Sequence, residues 1–590
     1  MQNSRLQKQF SELIFKGDSL FFLFLFVGII LRLFYALTIE LHPDEAYYWM
    51  WSRFPALSYY DQGPGVSYYI LLFTSIFGNS LFALKLAAVM PSFFVCILLF
   101  LISKELNFTK FFSYFAGLLG FFIPAFFGGS LLIMHDTPLM LMWISALYAA
   151  VRFINSRKWI WLYILFIALG FGGLSKYTMI FFAVSLAVWF ILTRNFYYIL
   201  RSFHFYLSIL IAGLIVLPVF FWNFQNHWGG FDAVVHLRSS GGSMGGKGSP
   251  GLFLAGQIIS FSPILFIIIL GAIGSFLLFS MLNGFSRIRD LTIFQKAKNL
   301  LPFQFVFQAF QKDPAFALIV INALILPLFF MVISPLRIIQ ANWVYPSYPA
   351  LIILLVYVFQ ETKSKFFNYA FYAGFAAAVL FNFYTVFSIE MSNLYTNISG
   401  QNIPTGYIPG YKTAGYKQVV DELENLRNEI DPGAEYAANR YQDASIASFY
   451  LSDQIYVPSM NVMQKNQYSY WPNLKKGKNY IVFSIQESSK RTMLNLMEPT
   501  LYLMFEEVTV YPEKKVILDG RVVKTYQAWH ARNFKKGWDE PLVEYLMNRA
   551  ILDLMPNLDP DSMLKQKKPG QLKEIFKQFM FMNMMNQSSQ

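Results

Sequence analysis

Eleven times in its first 389 residues the chain runs almost entirely on apolar side chains, at 20–38, 81–102, 111–129, 137–154, 159–174, 177–193, 203–222, 251–282, 315–333, 343–359 and 367–389. A helix needs about 20 such residues to cross the hydrocarbon of a bilayer, so each run is a candidate transmembrane span, with 159–174 short. The sequence therefore reads as a polytopic α-helical membrane protein with about eleven transmembrane helices. Only 14% of its 590 residues are charged, where a soluble domain carries roughly a quarter. A soluble enzyme and a disordered chain are both excluded.

The formal net charge of +13 and pI near 9.3 could suggest a nucleic-acid partner. Their distribution says otherwise. Up to Ile389 there are 24 Lys and Arg against 12 acids, and beyond it 23 against 22, so the surplus belongs to the apolar part. There the cations cluster in alternate gaps: one set of gaps holds 17, from Arg5, Lys8 and Lys16 to Lys363 and Lys365, and the other set holds only Arg53, Lys176, Arg238, Lys247 and Arg337. Because cytoplasmic loops carry the excess of Lys and Arg, the N-terminus is expected in the cytoplasm and the C-terminal region outside. The first run lacks a small-residue cleavage site and is followed by further spans, so it reads as a retained helix. The single cysteine, Cys96, lies in a span, so the outer region has no disulfide to hold it.

Residues 1–19 read as a cytoplasmic arm, 20–389 as the membrane domain with long outer loops at 39–80 and 223–250, and 283–314 as a cytoplasmic loop. The run Ser239–Gly248 is rich in Gly and Ser, follows no strand and lacks a G-K-[ST] ending, so it reads as a flexible loop rather than a phosphate cradle. From 390 to 536 the pattern becomes that of a soluble α/β domain. Tyr416–Ile430 has helical periodicity, Asp431-Pro432-Gly433 is a stop, and Gln454–Val457, Tyr480–Ile485, Val508–Tyr511 and Val516–Leu518 resemble strands. Residues 537–590 contain an amphipathic run, Glu540–Leu554, and a basic, Met-rich tail.

Acids are scarce in the membrane part and costly at bilayer depth unless paired or used. The first outer loop nevertheless places Asp44, Glu45 and Asp61 close to the membrane, in His42-Pro43-Asp44-Glu45-Ala46-Tyr47-Tyr48-Trp49 and Tyr59-Tyr60-Asp61-Gln62-Gly63-Pro64-Gly65. An acidic interfacial loop with an aromatic belt would have the same composition. Asp136, in Met134-His135-Asp136-Thr137-Pro138, stands at the outer end of the fourth span. Two carboxylates from separate elements suit proton removal from, and orientation of, an acceptor hydroxyl. Asp136 also fits a helix cap ahead of Thr137-Pro138. Lys176, in Gly172-Gly173-Leu174-Ser175-Lys176-Tyr177, lies on the cation-poor side and calls for an anion: a phosphate, or Asp44, Asp61 or Asp136. Arg337-Ile338-Ile339-Gln340-Ala341-Asn342-Trp343 adds a cation, an amide and an aromatic ring, a set found in sugar sites and in interfacial anchors.

Together these segments, in order and on one membrane face, resemble the bacterial branch of the C-fold (GT-C) glycosyltransferases, related to protein O-mannosyltransferases and the aminoarabinose transferase of lipid A. The resemblance covers roughly residues 20–390. Asn439-Arg440-Tyr441-Gln442-Asp443-Ala444-Ser445 and Gln467-Tyr468-Ser469-Tyr470-Trp471 extend it to the outer domain of one subgroup. The resemblance implies inverting transfer of one sugar from a polyprenyl-phosphate donor to a hydroxyl of an envelope glycolipid, glycan or protein, at the outer face of a bacterial inner membrane. It implies Asp44 as the base or as the group that orients the acceptor, assisted by Asp136 and Glu45. It sets Lys176, Tyr60, Asp61, Gln62 and Arg337 at the donor phosphate and lipid, and Tyr47, Tyr48, His135, Asn342 and Trp343 at the substrates.

Two departures concern the phosphate. Asp61-Gln62 stands where the aminoarabinose transferase has an acidic-basic pair, and Tyr47 stands where it has an arginine. No nucleotide motif is present, and a sugar linked to a lipid phosphate needs none. His42 and His135 beside the acids are a faint hint of a divalent metal, but no His/Cys ligand spacing occurs and no metal or other cofactor is assigned. Two other classes compete: a carrier or flippase for lipid-linked sugars, for which internal repeats are expected and none is seen, and a scaffold whose outer domain binds a partner. The expected partners are the lipid-linked donor, an envelope acceptor and membrane lipid, with no nucleic acid.

Overall fold

The computed structural model describes residues 2–234, 248–288, 303–460, 466–487, 500–502 and 504–535. Most of the Gly-rich run, the amphipathic run 540–554 and the Met-rich tail fall outside these residues. The chain divides into two units, one formed by residues 1–38, 55–230 and 247–384, the other by 39–54, 231–246 and 385–590.

The first unit is a helical bundle. Among the described residues, eight helices are long and apolar enough to cross a membrane: Asp18–Leu37, Leu81–Glu105, Asp136–Ser156, Phe203–Gln225, Pro263–Met281, Pro314–Ile333, Ala341–Glu361 and Lys365–Val386. Each falls on one of the eleven apolar runs. The other three runs form shorter helices, Lys110–Phe122, Trp159–Ser175 and Ile180–Leu192. The run 251–282 is broken at Ser262, whose φ of 119° precedes Pro263; a proline has no N–H to continue the first helix, and it pushes the residue before it out of the α region. The apolar helix Gly65–Phe77 occupies part of what reads in the sequence as an outer loop. Its 13 residues are too few to register as a span. The N-terminal arm continues the first span as one helix, Gln2–Leu37.

The helix Phe203–Gln225 packs on Trp159–Ser175 through Gly170 and Gly173 and leaves Tyr206, Leu210, Leu214, Leu217, Phe221 and Phe224 exposed, three or four residues apart. An outward apolar face at that spacing is a lipid-facing surface. Inside, the indole of Trp143 donates to Asn322 Oδ1 at 2.9 Å. Two buried cations hold the segment that leads to Asp136. The Arg32 guanidinium donates to Phe121 O (2.6 Å) and Ser130 Oγ (3.1 Å) and lies 4.0 Å from the centre of the Phe121 ring. Lys85 Nζ donates to Leu131 O at 3.2 Å.

The second unit contains a five-stranded sheet of β1 (Glu435–Ala438), β2 (Tyr480–Glu487), β3 (Phe505–Val510), β4 (Lys514–Leu518) and β5 (Arg521–Phe534). The order is β1-β2-β5-β3, with β4 also on β5 and only β1-β2 parallel. Asp519-Gly520 joins β4 to β5 with φ of 48° and 72°, the two left-handed residues of a tight hairpin. The helix Tyr416–Ile430 forms over the residues whose periodicity predicts it. Gln454–Val457 forms no strand: Gln454 takes a φ of 46°, and Val457 N is bonded to Ser448 Oγ rather than to a neighbouring strand.

Asp431, at the end of that helix, accepts from Asn479 Nδ2 at its Oδ2 (2.8 Å) and from Gly433 N at its Oδ1 (3.1 Å), and His530 Nε2 lies 3.1 Å from the same Oδ2. The Asn479 amide first, then His530, hold its carboxyl below the ordinary value. Its stabilising contribution is therefore full above the unfolded value of about 3.9 and is lost as pH falls through the lower folded value. Asp431→Ala is expected to destabilise the C-terminal unit by about 1–2 kcal/mol and to flatten the acid limb of its unfolding profile, read by proteolysis of the full-length protein from pH 3 to 7 at intervals of about half a unit.

Candidate functional site

In the bundle, the sequence-derived candidates converge on Asp136. The helix Asp136–Ser156 starts there, and its side chain does not cap it. Instead Oδ1 accepts from Lys176 Nζ at 2.7 Å and Oδ2 from Asn342 Nδ2 at 3.0 Å. Lys176 follows the helix Trp159–Ser175 in an extended conformation, which ends the helix and turns its side chain toward Asp136. With side chains only 7% and 19% exposed, Lys176 and Asp136 form a buried ion pair, and Asn342 satisfies the second carboxylate oxygen. Asn342 belongs to the short turn Ala341–Ser347, which Gln257 Nε2 anchors through Ala341 O at 3.2 Å.

The segment Tyr60–Gly65 approaches the same place. A Cβ on Gly63 would lie 2.2 Å from Leu174 O, and one on Gly65 would lie 2.6 Å from Ser175 Cα, so only glycine permits this contact one and two residues before Lys176. Tyr60 and Gln62 are buried there, while Asp61 is partly exposed. Gln62 Oε1 is a buried acceptor with no hydrogen-bond partner among the described residues. His135 is also buried. Trp343 packs on Phe330, with ring centroids 5.5 Å apart, and donates to Gln340 Oε1 at 3.2 Å. Arg337 is partly buried on the loop before that turn.

The other candidates lie in the second unit, on the helix Pro43–Arg53. His42 caps it: its Nδ1 accepts from Asp44 N at 3.2 Å, and Glu45 Oε2 accepts from His42 N at 2.9 Å, a reciprocal capping box. Glu45 is fully buried in this task. Asp44, beside it, differs. Its carboxylate oxygens make no hydrogen bond among the described residues, and His42 Nδ1 lies 3.8 Å from Oδ2. About 35% of its side chain is accessible, yet its surroundings are dry enough that desolvation raises its pKa; His42 opposes that rise and Glu45 adds to it. Tyr47 is buried and Tyr48 partly buried, both with rings 5.3 Å from that of Trp51. Among the described residues, no three His, Cys, Asp or Glu side chains group as metal ligands.

Residues 61–222 match the family described as dolichyl-phosphate-mannose-protein mannosyltransferase. Among solved structures the chain is similar to ArnT from Cupriavidus metallidurans bound to undecaprenyl phosphate, with a TM-score of 0.57 and 15% identity over 87% of this chain and 98% of that one. The apo state of the same ArnT matches with a TM-score of 0.57 and 16% identity over the same shares. No curated relative matches the chain in sequence. The chain is thus a multi-pass membrane protein of the GT-C glycosyltransferase fold with a small C-terminal sheet, and it resembles the mannosyltransferase and aminoarabinose transferase family, as its motifs imply.

Removing one partner of a buried ion pair leaves the other charge uncompensated, at about 3–5 kcal/mol. Lys176→Met should therefore lower the unfolding temperature of the purified protein more than Asp136→Asn combined with Lys176→Met. A single mutant as stable as the double would show that the pair is not coupled.

Proposed function

We propose that this chain transfers one sugar, with inversion, from a polyprenyl-phosphate donor to a hydroxyl of an envelope glycolipid, polysaccharide or protein, at the outer face of the bacterial inner membrane. The GT-C fold, the family match over 61–222 and the lipid phosphate bound by ArnT support the class of donor. The 17-to-5 cation asymmetry supports a cytoplasmic N-terminus and puts the connections bearing Asp44, Asp136 and Lys176 on the outer side.

The observation that carries the reading is the contrast between two carboxylates. Both oxygens of Asp136 are taken, by Lys176 and Asn342. Those of Asp44 are without a donor among the described residues, in a desolvated setting that raises its pKa. Asp44 is the group suited to accept a proton, and Asp136 the one suited to hold a cation. In the proposed reaction an Asp44 oxygen takes the acceptor's hydroxyl proton as the hydroxyl oxygen attacks the anomeric carbon. The bond from that carbon to the phosphate oxygen breaks on the opposite face, and polyprenyl phosphate leaves with the electron pair. Lys176, held by Asp136 and in turn by Asn342, faces the charge that develops on the departing phosphate. Tyr60, Asp61, Gln62 and Arg337 line the donor's path; Tyr47, Tyr48, His135 and Trp343 contact substrates. Glu45 serves indirectly, through the capping box.

Asp44→Asn is expected to cost about 10²–10⁴-fold in transfer while the protein still inserts and stays monodisperse. The wild-type rate should rise with pH through an acid limb above the ordinary aspartate value, because the base must be ionised and burial raises its pKa. The assay follows sugar transfer in membranes supplied with polyprenyl-phosphate sugars extracted from source cells. An inserted Asp44→Asn protein with full activity would remove Asp44 as base.

A further inference from the structure

The helix that carries Asp44 has 11 residues. A helix that short is marginal on its own in water, and a capping box contributes only about 1 kcal/mol. Residues far along the chain hold it, on both sides of Asp44. Before it, the Glu40 carboxylate accepts from Gly415 N (3.1 Å) and Lys417 N (2.9 Å). These are N–H groups at the start of the helix Tyr416–Ile430, whose own N-cap, Gly415, provides no side chain. A carboxylate there satisfies orphan donors and meets the positive end of the helix dipole. At the next residue, Leu41 N donates to Tyr450 OH at 2.9 Å. After Asp44, Tyr47 OH accepts from Gln467 N at 2.9 Å, with its ring 4.4 Å from that of Tyr441. Trp49 meets Phe449 edge to face at 5.0 Å. None of these groups contacts the Asp44 carboxylate.

We propose that Glu40, Tyr450 and Gln467 are positioning residues, through which the C-terminal domain fixes the helix bearing Asp44 in its working orientation. This rests on the reading of Asp44 as the base. On this account the domain takes part in catalysis by locating the base, apart from any role in recognising the acceptor. A misplacement of about 1 Å in a reacting group can cost about 10²-fold in rate, so loosening either anchor should slow transfer without weakening the hold on the lipid donor.

The test uses the full-length protein carrying Glu40→Gln, with Tyr450→Phe as a second, milder variant should the first fail to fold. Three quantities are read: hydrogen exchange of peptides within 39–50, binding of undecaprenyl phosphate, and the maximal transfer rate with the extracted lipid-linked sugars. Exchange in 39–50 is expected to rise at least about tenfold and the transfer rate to fall about tenfold, with undecaprenyl phosphate affinity unchanged. A general structural defect would move the affinity as well, and that result overturns the proposal. So does wild-type protection of 39–50, or full transfer despite lost protection. Full activity in Asp44→Asn would instead refute the base assignment, and it is read in a different variant.

Discussion

A lysine ammonium buried in a membrane bundle needs an anion, and much of the local structure around Lys176 follows from supplying one. Asp136 meets it at 2.7 Å, and Asn342 closes the second carboxylate oxygen. Desolvating two charges is favourable only when their remaining hydrogen-bonding capacity is met, which is why the turn Ala341–Ser347 must come to the start of the helix Asp136–Ser156. The same demand reaches further. Gln257 holds the turn, and Arg32 and Lys85 hold the segment before Asp136 through Phe121, Ser130 and Leu131. Gln257, Arg32 and Lys85, from three helices, thus donate to carbonyls and a hydroxyl whose positions bear on where Asp136 stands.

The segment 39–54 shows a different economy. It follows the first span directly in sequence, yet it groups with residues beyond 384. Glu40 caps a helix some 375 residues later, and Tyr47, Trp49 and Phe54 lie against Tyr441, Phe449 and Trp471. A helix of 11 residues is thus stabilised by burying its aromatic side chains among residues distant in sequence, a contact that carries the loop-closure cost of its long separation.

Much of this was legible in the sequence, for identifiable reasons. Long apolar runs carry their length and composition openly, and eight of eleven are helices of spanning length. Runs that fall short of 18 residues are ambiguous by nature, and Gly65–Phe77, flanked by Pro64 and Gly78, did not register at all. Asp44, Asp136, Lys176 and Asn342 stood out because charge and amides are rare in such a chain. Their pairing did not, because the anion owed to Lys176 was equally well a phosphate or any of three aspartates until the fold put Asp136 beside it. β1 and the long β5 lacked a clear alternation between buried and exposed positions, β5 being largely buried along its length. Glu40 gave no signal, since its partners are backbone N–H groups that no side-chain pattern announces. The sequence assigned no task to Gly63 and Gly65, whose lack of a side chain is what lets Tyr60–Gly65 lie on Leu174 and Ser175.

Asp44 and Asp136 are chemically identical groups made unlike by what surrounds them, which is how a pair of carboxylates is given separate tasks. A carboxylate that already accepts from an ammonium and an amide is a poor base, because protonation would forfeit both bonds. One that is desolvated, with no donor among the described residues, gains by protonation, and burial raises its pKa. Exchanging their settings would undo both: an Asp44 paired to a lysine would hold no proton, and an Asp136 without Lys176 would be a buried charge awaiting neutralisation. The difference between them therefore lies in the hydrogen-bond inventory rather than in the residue type: Lys176 and Asn342 occupy Asp136, while Asp44 is desolvated and accepts from no donor among the described residues.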